Sequence, residues 1–341
     1  MKSRITLSIG LLLAVILIVV ASCRRENGEQ WIVYVSDSQT WIVSPDGTRI
    51  QLALDLEMST RGIRWSPDGT RMAFTAGQDP SQAGLWIANA DGSDPHEISG
   101  ELNSATWLSD DILIASLLTE KTEGVFDVAN YTFDLRDDVM NLYSQGFEDV
   151  VPIKLRERWL AWNGVSGLVL HDLGGNAWSL SPDLLPTSAH AFDASPSGDM
   201  IIVCQHSTSG DVLSGVYAAT LEPDGIGEPR LVYPVEEGMC TCARWSPNGR
   251  YVAFLDNQHV LYLLDAASFS LLRSFDIGPL TESSFFWSPD SRFVAVSRHY
   301  GEPGSGPKEI ARVDIETGEI VRVTNNESVE YLTDWVVLPS R

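Results

Sequence analysis

The sequence predicts an all-β fold: a seven-bladed β-propeller, four antiparallel strands per blade, with the ring closed by the C-terminal strand completing the N-terminal blade. Three observations carry this expectation. A motif built on Trp-Ser-Pro-Asp-Gly recurs with a spacing of 42 residues, from Trp65 to a weaker copy at Trp107 and again from Trp245 to Trp287. A second turn signal follows within the unit, as at Asp91-Gly92, so each unit reads as four short strands joined by tight turns. The first unit begins in mid-pattern, and the strand it lacks stands at the other end of the chain. Four strands in such a period, repeated, describe a propeller blade.

Taken in order, residues 1–22 read as a lipoprotein signal peptide. Lys2 and Arg4 supply the charged start, Ile5 to Val20 the apolar run, and Ala21-Ser22-Cys23 the small-residue end. The ending Val20-Ala21-Ser22-Cys23 resembles a bacterial lipobox. That resemblance implies cleavage before Cys23, lipid attachment at its thiol, and an extracytoplasmic lipoprotein anchored to the membrane of a bacterial cell envelope. Several acyl chains hold far more firmly than one. The apolar run is also near the length that spans a bilayer, and Arg24 and Arg25 after it suit an uncleaved transmembrane anchor, so that alternative stays open. Residues 23–30 are a short tether, and 31–341 form the propeller.

Blades begin at about 31, 61, 104, 149, 190, 241 and 283, with a closing strand over 330–338. In the first, Trp31-Ile32-Val33-Tyr34-Val35 matches a second strand, and Thr40 to Leu54 supplies the third and fourth around Pro45-Asp46-Gly47. The second blade carries the full motif Arg64-Trp65-Ser66-Pro67-Asp68-Gly69 and then Leu85-Trp86-Ile87-Ala88-Asn89-Ala90-Asp91-Gly92-Ser93. Pro presets the turn, Asp tolerates the next position, and Gly accepts a positive φ. The third and fourth blades are degenerate. Over 149–180 the Ser-Pro-Asp-Gly turn is lost, and only Arg158-Trp159-Leu160-Ala161-Trp162 and Leu168-Val169-Leu170-His171-Asp172 keep the pattern. The fifth has Ser195-Pro196-Ser197-Gly198, the sixth Trp245-Ser246-Pro247-Asn248-Gly249, and the seventh Trp287-Ser288-Pro289-Asp290-Ser291. Tyr331 to Val337 reads as a first strand with nothing after it.

The pairing of Trp-Ser-Pro-Asp-Gly with the later Leu-Trp-Ile-Ala-Asn-Ala-Asp-Gly-Ser resembles the TolB-like, WD40-like β-propeller repeat over roughly residues 31–338. The resemblance implies protein partners in the envelope. Residues 24–30 leave no room for the separate N-terminal domain that TolB carries, so its specific role is not carried over.

Tight turns join first to second and third to fourth strands, and therefore share one end of the ring. The long insertions fall at the other end, around His206 to Gly215 and Arg298 to Lys308. Variable loops on a rigid scaffold are where binding concentrates. His206, Asp211, Arg298, His299 and Tyr300 are accordingly the candidate binding residues, against the simpler reading of these loops as tolerated insertions. No Gly-x-Ser-x-Gly, His-Glu-x-x-His or phosphate-binding glycine loop is present. No catalytic residue, metal ligand or cofactor is assigned. The recurrent Asp-Gly aspartates read as turn formers. His190, His206, His259 and His299 lie in or beside the long-loop segments, where metal-dependent propeller lyases gather histidines, yet they lack close-pair ligand spacing. Cys204 is placed to bridge to Cys240 or Cys242 across adjacent blades, the alternative being buried thiols.

The chain has 341 residues, 46 acidic and 23 basic, for a formal charge of −23. Removing 1–22 takes two cations and no acid, giving −25. Such an excess speaks against nucleic acid as a partner, because phosphates are held by clustered Lys and Arg. The favoured reading is a non-catalytic interaction module whose partner is an envelope protein, peptide or glycan. It is tied to the membrane by its lipid, and no oligomer is implied. The alternative is a metal-assisted lyase or hydrolase acting in the central channel on an anionic or carbohydrate substrate.

Overall fold

The repeated Ser-Pro-Asp-Gly turn has one internal wiring wherever it occurs. At the second-blade copy the Gly69 N–H donates to the Ser66 carbonyl at 2.8 Å, and Gly69 takes a φ of +72°. The Ser66 hydroxyl donates to Asp68 Oδ1 at 2.6 Å and accepts the Arg71 N–H at 3.0 Å, while Asp68 Oδ1 also accepts the Thr70 N–H. The same serine-to-acid bond recurs at Ser288 and Asp290, and with an amide at Ser246 and Asn248. The turn therefore needs an acceptor for its serine hydroxyl, supplied by the third residue in these copies and by Asp199 for Ser195 in the fifth blade, and not a charge at the third position. That is why Asp and Asn interchange there.

In the computed structural model of the chain, the described residues are 28–339 except 38, 57, 79–82, 123–124, 146–148, 154–157, 164–166, 180–190, 206–212, 237, 301–306 and 327. Cys23, His190, His206 and Asp211 thus lie outside them, as does the apolar N-terminal run. Among the described residues no helix is long and apolar enough to cross a membrane. They form seven sheets, one per blade, with all strand pairs antiparallel.

Strands are numbered along the chain. The first blade holds β1 (Gly28–Ser36), β2 (Gln39–Val43) and β3 (Ile50–Leu52). The second holds β4 (Ser59–Trp65), β5 (Arg71–Gly77), β6 (Gly84–Asn89) and β7 (His96–Ser99). The third holds β8 (Leu102–Trp107), β9 (Ile112–Thr122), β10 (Val125–Asp134) and β11 (Val139–Gln145), and the fourth β12 (Asp149–Ile153), β13 (Arg158–Asn163), β14 (Gly167–Asp172) and β15 (Ala177–Ser179). The fifth holds β16 (Phe192–Ala194), β17 (Met200–Gln205) and β18 (Gly215–Glu222), whose outer edge pairs with both the short β19 (Gly225–Ile226) and β20 (Arg230–Pro234). The sixth holds β21 (Cys240–Trp245), β22 (Tyr251–Asp256), β23 (Val260–Asp265) and β24 (Leu271–Asp276). The seventh holds β25 (Leu280–Trp287), β26 (Phe293–His299), β27 (Lys308–Asp314) and β28 (Ile320–Arg322), and β29 (Tyr331–Pro339) ends the described chain.

β29 pairs with β1, Gly28 opposite Pro339 and Tyr34 opposite Leu332, so the first blade runs β29-β1-β2-β3. The sequence expectation of a ring closed by its C-terminal strand is met. Trp335 on β29 is 5% exposed and stacks on Phe293 of the seventh blade with ring centroids 6.4 Å apart. Gly47, at a φ of +74°, sits where a Cβ would collide with the Val323 carbonyl of the seventh blade, so this turn in the first blade needs glycine on two counts.

Each blade is sandwiched between two others, so its second strand is buried on both faces. Met72 to Ala76 of β5 and Val252 to Asp256 of β22 are continuously buried rather than alternating. Outer strands are wet, as β24 shows. Polar ties bridge neighbouring blades near the repeat period. The Trp107 indole N–H donates to the Arg64 carbonyl at 2.9 Å, and Trp287 reaches the equivalent Arg244 carbonyl at 3.4 Å. A disulfide joins Cys204 on β17 to Cys240 on β21, with Cα atoms 5.4 Å apart, and Cys242 remains a buried free thiol. Of the bridges open to Cys204, the fold takes Cys240. The degenerate third blade also holds something its sequence did not announce. β9 and β10 run 11 and 10 residues, so their hairpin stands out beyond the blade on the long-loop face.

Two measurements follow. Trp335→Ala is expected to cost about 3–5 kcal/mol in urea unfolding, as truncation of a buried indole does, and deletion of 330–341 to abolish the native melting transition. An unchanged melting temperature for the deletion would overturn the closure. The second concerns Asp46, whose carboxyl is held at about 2 by hydrogen bonds from the Ser44 hydroxyl and from Thr48. A depressed folded value means that this stabilisation is present above the ordinary value near 3.8 and fades as pH falls toward 2. Asp46→Asn keeps the acceptor, as Asn248 does. Its stability difference from the native chain is expected to shrink between pH 4 and pH 2, read from urea midpoints.

Candidate functional site

Arg298 and His299 close β26 and Tyr300 follows, on the long-loop face beside the closing strand. Register places Arg298 opposite Glu309 and His299 opposite Lys308. The Tyr300 ring is the hub: the Arg298 guanidinium carbon lies 5.2 Å from its centroid and that of Arg322 lies 4.6 Å away. Arg322 makes a two-bond ion pair with the Glu309 carboxylate, which is wholly buried, and its Nε also donates to the Thr324 carbonyl at 3.1 Å. A bidentate pair of this kind fixes geometry as well as charge.

A second buried carboxyl, Glu330, stands behind the first. It accepts from the Thr324 hydroxyl, from Asn326 Nδ2 at 2.5 Å and from the Ile310 N–H at 3.2 Å. Burial pushes its carboxyl above the ordinary range, against the lowering effect of those hydrogen bonds. The Tyr34 phenol of β1 is likewise pushed up, first by burial and then by the Glu330 charge. The Ser297 hydroxyl donates to the Glu330 carbonyl at 2.8 Å, and the Glu330 N–H donates to the Lys308 carbonyl at 3.0 Å. Glu309 and Glu330 thereby lash the segment 323–330 to the seventh blade just before it becomes the closing strand.

Of the sequence candidates, the structure brings Arg298 and Tyr300 together. His299, the residue between them, has a buried Nδ1 with no hydrogen-bond partner among the described residues, as does Arg298 at Nε. His206 and Asp211 fall outside the described residues. His259 sits at a φ of +66° in the β22–β23 turn on the same face. Among the described residues no three His, Cys, Asp or Glu side chains come together as a metal site. Glu309, Arg322, Thr324 and Glu330 were missed by sequence reasoning. The one available hint was charge at apolar-flanked strand positions, as in Glu309-Ile310-Ala311, which means little until the register is known.

Towards the ring centre, the residue preceding the motif Trp meets its counterpart in the next blade. Asp193 Oδ1 lies 4.0 Å from Arg244 Nη1, Asp193 Oδ2 accepts the Trp245 N–H at 2.8 Å, and the Arg244 guanidinium lies 5.9 Å from the Phe286 ring. The same end of the ring that carries Arg298 has a groove of about 410 Å³ between the fifth and sixth blades, lined by Tyr233, Pro234, Val235, Glu236, Gln258 and Tyr262. Phe254 stacks on one face of Tyr262 at 4.5 Å, and the Tyr262 phenol donates to Asp256 Oδ2 at 3.2 Å.

No protein-family model matches the chain, and no curated protein matches it in sequence. Solved structures do share its fold. A protein of unknown function from Desulfotomaculum acetoxidans superposes with a TM-score of 0.59 at 12% identity, over 90% of this chain and 98% of that one. An oligogalacturonate lyase in complex with manganese gives 0.55 at 14%, over 88% and 86%. The oligogalacturonate lyase of Vibrio parahaemolyticus gives 0.56 at 10%, over 87% and 86%. At these identities the likeness is one of fold alone.

The buried carboxyl makes a signed prediction. A folded value raised above 4.5 means that Glu330 costs stability once ionised, so stability declines as pH rises from about 4.5 through the folded value. Glu330→Gln keeps an acceptor for Thr324 and removes the titration. The variant's stability relative to the native chain is expected to rise with pH across that window, measured by urea unfolding from pH 4 to 9.

Proposed function

We propose that this propeller is a non-catalytic, lipid-anchored interaction module of the cell envelope, built of TolB-like repeats and engaging its partner through the long-loop face. The observation that carries the reading is the state of that face. Its charged cluster is turned inward, with Glu309 spent on Arg322 and Glu330 on Thr324, Asn326 and a backbone amide, while the groove beside Tyr233 and Tyr262 is open. The first is a framework and the second is a surface. The Cys204–Cys240 bridge supports an exported location, since disulfides persist in oxidising compartments. So does the Val20-Ala21-Ser22-Cys23 ending.

One observation favours a second reading, metal-assisted lyase chemistry on an anionic or carbohydrate substrate. The His299 Nδ1, which has no hydrogen-bond partner among the described residues, lies beside Arg298, and oligogalacturonate lyases are among the proteins that share the fold. The described residues supply no complete ligand set for a metal.

In-cell photocrosslinking from the long-loop face, with mass spectrometry of the products, separates the two. The module reading expects a discrete crosslinked partner, lost when Cys23→Ala releases the protein from the membrane fraction. Recovery of no partner, together with stoichiometric Mn²⁺ binding that His299→Ala abolishes, would overturn it in favour of the enzyme.

A further inference from the structure

The groove between the fifth and sixth blades has a chemistry that none of the repeat features requires. Its two rings, Tyr233 and Tyr262, lie 6.1 Å apart with planes inclined at 48°, and Phe254 touches both, 5.3 Å from Tyr233 and 4.5 Å from Tyr262, so the three rings pack as one rigid cluster. Behind Tyr262, Phe254 fills the core side, so the other face of the ring walls the groove. The Tyr262 phenol donates to Asp256, a carboxylate that also accepts the Gln258 and Val260 amides and is nearly fully buried. Donation to a carboxylate enriches the ring in electron density, which strengthens attraction of a cation to its face. Glu236 stands exposed at the mouth with no hydrogen bond or ion pair among the described residues, and no basic side chain lines the groove. Pro234 and Val235 supply an apolar flank of the kind that covers an aliphatic stem.

Resting on the interaction-module reading, we propose that this groove takes a lysine or arginine side chain from an extended basic segment of the partner. The stem lies along Pro234 and Val235, the charged head sits against the Tyr262 face, and Glu236 closes the ion pair. Charge complementarity extends beyond the groove. A chain of formal charge −23 attracts a basic segment from a distance, and the groove then decides where it docks. A neutral glycan stacks on tyrosine equally well but gains nothing from an unpaired carboxylate or from the net charge.

The test uses the folded protein and a probe of minimal charge, so that binding of polycations to an acidic surface does not intrude. Acetyl-Gly-Arg-Gly-amide is titrated at 150 mM salt and followed by NMR, beside its citrulline counterpart, which has the same shape and no charge. The arginine peptide is expected to saturate with shifts confined to the groove, and the citrulline peptide to bind at least fivefold more weakly. Glu236→Gln, an exposed change that leaves the core intact, is expected to weaken the arginine peptide at least fivefold, and Tyr262→Leu further. Asp137→Asn, an exposed acid on the third blade, is expected to change nothing. Equal binding of the two peptides, no saturable binding, or an unaffected Glu236→Gln would overturn the proposal. Saturation by chitotriose at the same tyrosines, with no discrimination between the peptides, would assign the groove to glycan instead. Retention of the crosslinked partner by Glu236→Gln would leave the module reading standing while removing this groove from it.

Discussion

Everything in this molecule depends on a strand contributed from the far end of the chain. Seven blades close a ring only if each apolar face meets another, and the last interface forms only when β29 pairs with β1. An open ring would leave the surfaces around Trp335, Phe293 and Ile32 in water, each worth roughly 1.5–3 kcal/mol or more when buried. The cost of bringing distant ends together grows only slowly with the intervening length. One antiparallel pairing across the whole chain is therefore a cheap device for making seven local units cooperative.

The acidic side chains divide by role once the ring is in view. Those in the Asp-Gly turns are internal acceptors for serine hydroxyls and backbone amides, which the exchange of Asp for Asn at position 248 makes plain. Glu309 and Glu330 are buried, paired or capped, and they hold the last loop where it must turn into the closing strand. Removing either partner of such a buried pair leaves the other uncompensated, which is far more damaging than the pair's own net worth. The candidates Arg298 and Tyr300 belong to the same assembly. Their conjunction with Arg322 serves the closure of the ring first and any ligand only through the edges left over.

The groove differs in kind. Tyr233 and Tyr262 come from separate blades, and the wall they share exists because β20 and β23 are neighbours across a blade interface. The Cys204–Cys240 bridge spans the same interface nearer the core. A covalent tie beneath and a packed ring cluster above give a surface that can be exposed without being soft, and a rigid surface loses little entropy on binding.

The sequence by itself determined the repeat, its turn chemistry and the ring. Each of these is written in local spacing: tryptophan before a Pro-Asp-Gly turn, apolar runs too continuous for a half-wet strand, and a first unit lacking its inner strand. Where the turn decays, as over 149–180, the paired rows of Arg158–Asn163 and Gly167–Asp172 still sufficed, because burial on both faces keeps its apolar demand when a turn changes. Only the tertiary structure decided which cysteine Cys204 meets, that Glu309 faces Arg322, and that Tyr233 and Tyr262 share a wall. Those contacts join residues whose separation along the chain has no fixed relation to the repeat. The first and last depend on how neighbouring blades pack, and the Glu309–Arg322 pair on the register of β27 against β28, neither of which a local pattern of residues encodes.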